Sequence, residues 1–135
     1  MPELTINPDV AFAIMLKARE FDAKVEQTDP DSGSNPTDDG GVDTLETGPS
    51  DETQREINSA IRDLNDDEQI DLIALILVGR EDYTLEEWES ARREASTVGR
   101  AHVAKFVTDI PLVSDFLEEG LSQFNLTVQD YLDRN

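Results

Sequence analysis

Apolar residues recur at helical intervals along nearly the whole chain. In "NPDVAFAIMLKAREFDAKVE", Val10, Ile14, Ala18, Phe21 and Val25 fall three or four residues apart, with Asn7 placed to cap and Pro8 at the first helical position. This predicts a helix from Pro8 to Glu26. Ser50 is placed to cap a second, "DETQREINSAIRDL", in which Ile57, Ala60, Ile61 and Leu64 form one narrow stripe. In "YTLEEWESARREAS", Thr84 caps and Glu87 completes a capping box, with Leu85, Trp88, Ala91 and Ala95 on one face. "VGRAHVAKFV" reads as a weaker helix, because Gly99 in its interior costs about 1 kcal/mol relative to alanine. Pro111 starts another, gathering Val113, Phe116, Leu117, Leu121 and Phe124 on a face where Gly120 gives room for close helix approach. A short terminal helix capped by Thr127 docks through Val128, Tyr131 and Leu132.

One segment departs from this amphipathic pattern. "LNDDEQIDLIALILVGRED" opens with Asn65 and Glu68 at capping-box spacing, so a helix begins at Asp66. Asp66, Asp67 and Glu68 place negative charge at its positive dipole end, worth about 0.3 to 1 kcal/mol each. Ile70, Leu72, Ile73, Leu75, Ile76, Leu77 and Val78 then cover most of its circumference, and Gly79 supplies the stop. A helix apolar all round belongs in the middle of a domain. The fold class that follows is all-α, an irregular bundle of six to seven helices around a central buried helix near residues 66–79, with no strand pattern and no internal repeat.

Between the first two helices, "QTDPDSGSNPTDDGGVDTLETGPS" is rich in Asp, Gly, Pro and Ser and carries no Lys or Arg. It lacks the apolar surface to offset chain entropy, which predicts an acidic mobile loop over about 27–50 inside a single domain spanning 1–135.

Thirty-one acidic residues against eleven basic ones give a net charge of −20. That field repels phosphate backbones and anionic lipid, so direct nucleic-acid and membrane binding are not expected. The absence of cysteine excludes disulfides, thiolate metal sites and cysteine nucleophiles, and suits a reducing compartment. The opening residues lack a basic leader ahead of an apolar core, and the run from Leu72 to Val78 is far short of the ~20 residues that span a bilayer. A soluble, cytoplasmic protein is the expectation.

Candidate chemistry is sparse. Read as a calcium loop starting at Asp29, "DPDSGSNPTDDGG" has Gly33, Ser34 and Gly40 where a ligand, a glycine and a glutamate are needed, so no metal ligands are assigned. A di-iron site needs paired Glu-x-x-His motifs, but the one histidine, His102, follows Gly99. Neighbouring carboxylates such as Glu86 with Glu87 point about 100° apart on a helix. "GREDYTLEEWESARRE" has a helix-turn-helix outline, yet its glutamates outnumber Arg92 and Arg93. Trp88, Phe116 and Phe124 read as core. Arg80, just past the central helix, can bond the last free carbonyls or pair with an acidic segment.

"KAREFDAKV", "DPDSGSNPTDDG", "LNDDEQIDLIALILVGRED" and "PLVSDFLEEGL", in this order, resemble small bacterial proteins of the family catalogued as domain of unknown function 3775. That family's pattern continues the central helix with an aromatic residue and a Gly-Arg-Gly turn, whereas this chain has "LILVGRED" and so Glu81 in place of the second glycine. The resemblance implies a bacterial, cytosolic, helical protein and brings no activity. It also implies that the acidic loop is ordered in part, so that Asp38 or Asp39 caps a neighbouring helix or meets Arg19 or Arg80.

The sequence therefore points to a non-enzymatic acidic helical module, without cofactor, that binds another protein with a basic surface. Candidate binding residues are Arg80, Asp38, Asp39, Arg19 and His102. The alternative is an enzyme or small-ligand domain with Arg80, His102 and carboxylates such as Asp71 or Glu118 around a pocket between helices.

Overall fold

The computed structural model describes residues 2–33 and 49–134. Over these residues the chain is all-α, with seven α-helices packed around the third. α1 (Pro8–Gly33) packs on α2 (Pro49–Arg62), and α3 (Asp66–Gly79) lies between α4 (Trp88–Ala95) and α6 (Val113–Gln123). α5 (Val103–Asp109) rests mainly on α2, and α7 (Val128–Arg134) on α1.

α3 forms where the sequence places it. Asn65 Oδ1 accepts from the Glu68 amide at 2.9 Å, and the Glu68 carboxylate accepts from the Asn65 amide at 2.8 Å. From Leu72 to Val78 every side chain is buried, the largest contributing about 1.5 to 3 kcal/mol each. The stretch is interior packing, as its all-round apolar pattern requires.

Gly79 ends α3 but does not turn the chain. Arg80 is still right-handed (φ −80°), and the left-handed position falls on Glu81 (φ 73°). The Asp82 amide donates to the Leu77 carbonyl at 3.0 Å, and the Glu81 amide to Val78 at 2.9 Å. These two bonds form a Schellman cap with a glutamate where glycine is favoured. Gly79 is needed for packing instead: a Cβ there would lie 1.9 Å from the Phe116 carbonyl oxygen of α6. Reciprocally, a Cβ on Gly120 would lie 2.2 Å from the Leu75 carbonyl oxygen, so the two antiparallel helices meet backbone to backbone through both glycines.

Other boundaries shift for local reasons. α1 continues past Glu26 to Gly33, into the first part of the segment read as loop, and 34–48 lie outside the described residues. α2 begins at Pro49, ahead of Ser50. The Thr84 amide donates to the Glu87 carboxylate at 2.9 Å, and the first turn there is a 3-10 turn (Leu85–Glu87) before α4. Gly99 is a connector at φ 83° ahead of a 3-10 turn (Arg100–His102) and α5, not a helix interior. α6 starts at Val113 instead of Pro111, because Leu112 (φ 59°) takes the left-handed conformation at its N-cap. Thr127 caps α7 as read, accepting from the Asp130 amide at 3.1 Å.

Aromatic contacts close the periphery. Trp88 meets Phe124 edge-on, centroids 4.9 Å apart, and Phe12 stacks on Tyr131 at 5.5 Å. α7 has no buried residue and is latched to α1 by an ion pair between Arg134 and Asp9. The hydrogen bond to Asp9 is the main cause raising the Arg134 pKa above its ordinary value.

Candidate functional site

α3 carries one residue that its apolar surroundings cannot accommodate unaided. The Asp71 side chain is fully buried. An isolated buried carboxylate costs far more than a domain can spare, so it must be paired and hydrogen-bonded. Arg92 of α4 supplies the charge, its Nε donating to Asp71 Oδ1 at 2.7 Å. The second oxygen, Oδ2, accepts two successive backbone amides of the segment before α1, from Thr5 and from Ile6, the latter at 3.1 Å. One carboxylate thus ties together α3, α4 and the chain preceding α1. Ile6 is buried beside it, and Leu4 packs half-buried on the core.

A second polar joint closes the α2–α3 corner. Gln69 is buried, and its amide donates to the Ile61 carbonyl at 2.8 Å. Arg100 donates to the carbonyls of Arg62 and Leu64, both at 2.9 Å, and to Asp66 at 2.8 Å. It thereby satisfies carbonyls left free at the end of α2. A cleft of about 190 Å³ lies alongside, floored by Ile70, Ile73 and Val103 with Arg100 at its rim. A more open cleft of about 360 Å³ is lined by Pro2, Leu85, Trp88 and Glu89.

The residues singled out from the sequence do not meet at one place. Arg19 of α1 donates to Glu118 of α6 at 2.8 Å and lies 3.6 Å from Asp115. Arg80 folds onto Asp82, at 2.7 and 3.1 Å, instead of onto helix carbonyls. His102 is exposed in the 3-10 turn before α5. Asp38 and Asp39 lie outside the described residues. Of five clefts lined by described residues, Glu118 borders one and none is bordered by Arg80, His102 or Asp71. Among the described residues no group of three or more acidic or histidine side chains is placed to hold a metal ion, and no helix is long and apolar enough to cross a membrane.

Sequence reasoning missed the partnership of Asp71 with Arg92 and the segment before α1. A signal for half of it was present: an aspartate inside "QIDLIALILV", apolar on all sides, demands a cation and donors. Which arginine and which amides answer is a matter of tertiary packing.

A family model described as "Protein of unknown function (DUF3775)" matches residues 54–126. The match covers α3 to α6 and most of α2, and leaves out the two resembling segments before residue 54. The chain matches no curated protein and no solved structure.

Proposed function

The chain belongs to the DUF3775 family of proteins of unknown function, and we propose that it is a non-enzymatic helical module that docks onto a basic surface of another protein. The observation that carries this reading is where the charge sits. Among the described carboxylates Asp71 alone is buried, so the other described acidic side chains reach the surface, in a chain whose net charge is −20. A field of that size draws a basic partner in at rates that fall with salt, and it rejects polyanions. We further place the module in a bacterial cytoplasm, which accords with a chain free of cysteine.

Capture from a bacterial lysate, followed by titration of the captured protein over a salt series, tests the proposal. A partner with a basic face is expected, bound at about 0.05 M salt and lost by about 0.5 M as the Debye length shrinks. A surface charged for solubility alone would recover no partner at any ionic strength, and that outcome overturns the reading. Competition by DNA for the captured protein would show that the module occupies a nucleic-acid groove.

A further inference from the structure

The cleft of about 190 Å³ beside the α2–α3 corner contains a polar atom without a protein partner. Gln69 is only 3% exposed, and its Nε2 is committed to the Ile61 carbonyl at 2.8 Å. Its Oε1 accepts no hydrogen bond from any described group, and it is not sealed within the core either. Because Gln69 lines the cleft, that acceptor opens onto it. Buried Ile73 and Val103 and half-buried Ile70 give the cleft an apolar floor. Gly99, at φ 83°, borders it without a side chain. An apolar floor with one convergent polar group is the usual composition of a small-ligand site. A ligand donor placed on Oε1 completes the amide's hydrogen bonding, whereas a ligand without one strips water from the carbonyl and leaves it unpaired. Charge narrows the ligand further. Arg100 at the rim is already engaged by Asp66 and by the carbonyls of Arg62 and Leu64, and the chain's net charge of −20 repels anions. A cation would lose its hydration against the apolar floor.

We propose that this cleft binds a small uncharged molecule with an apolar body and one N–H or O–H donor, of the class of short aliphatic primary amides and alcohols. The body rests on Ile70, Ile73 and Val103, and the donor bonds Gln69 Oε1. At about 30 Å³ for each water-sized group, the cleft takes about six to seven non-hydrogen atoms. Because recognition is by one neutral hydrogen bond and apolar burial, it is insensitive to salt. It goes beyond the charge-steered docking proposed above, and either can fail without the other.

The test titrates the full chain with three probes of one shape, isovaleramide, methyl isobutyl ketone and isovalerate, followed by NMR of the isoleucine and valine methyls and of the Gln69 side-chain amide. Isovaleramide is expected to bind in the millimolar range and to move the Ile73, Val103 and Gln69 signals. It should bind at least about fivefold more tightly than the ketone, which offers no donor, or isovalerate, which offers no donor and is charged. Added salt should leave its affinity unchanged. Gln69→Met keeps the size of the side chain, removes the acceptor, and should bring isovaleramide down to the level of the ketone. No binding of isovaleramide, equal binding of the three probes, shifts confined to other residues, or an affinity that falls with salt overturns the proposal. Should Gln69→Met fail to fold, the parent chain decides: Overhauser contacts from the probe methyls to Ile73 and Val103, and from its carboxamide to Gln69, are expected at saturation, and their absence overturns the site.

Discussion

α3 meets its two main neighbours by opposite means. Toward α6 the contact is dry and made of backbone, with Gly79 and Gly120 leaving no space for even a methyl group beside the carbonyls of Phe116 and Leu75. Toward α4 the contact is polar, centred on the buried Asp71, which needs Arg92 and two amides to be tolerated at all. The first joint admits no additional atom; the second admits no missing partner. Both specify one arrangement of the helices, the dry one through shape and the polar one through the cost of an unpaired charge.

The largest expected effect comes from breaking the polar joint. Asp71→Ala leaves Arg92 and the amides of Thr5 and Ile6 without their acceptor, and should cost about 3 to 5 kcal/mol by urea denaturation. Breaking the dry joint comes next. Gly120→Ala must push α6 off Leu75 and should cost about 3 kcal/mol, despite alanine's better helix propensity. If Gly120→Ala were neutral, the backbone contact would have no part in setting the packing. Glu81→Gly sharpens the picture of how α3 ends: relieving a left-handed glutamate should raise stability by about 0.5 to 1 kcal/mol, seen as a higher Tm. At the small end, Arg19→Ala removes ion pairs to Glu118 and Asp115 at the surface and should change stability by less than about 1 kcal/mol, vanishing in high salt.

The elements were largely legible before the structure because their causes are local. The Asn65–Glu68 box, the Thr127 cap and the apolar circumference of α3 act over one or two turns, and each appears where the pattern puts it. The errors cluster where a residue's task is set by something distant. Gly79 ends α3 as its neighbours predict, but its close packing against Phe116 of α6 could not be read from them. Glu81 stands where the resemblance puts a glycine, and it takes the left-handed cap that a glycine would favour. Pro111 reads as a helix start, and Leu112 overrides it to turn the chain into α6. Of the candidate binding residues, Arg19 and Arg80 found carboxylates on the described surface, but Glu118 is 99 positions from Arg19 and no spacing rule links them.

By itself the sequence determined that this protein is helical, where most of its helices begin, which of them is innermost, and that its surface is strongly negative. These depend on hydrogen bonds and side-chain periodicity within a few residues, and on a sum of charges. Only the tertiary structure decided that α3 is pressed against α6 through two glycines and tied to α4 and residues 5–6 through one carboxylate. Such contacts join residues up to 66 positions apart, and their energies exist only once the chain has brought those groups together and excluded water from between them.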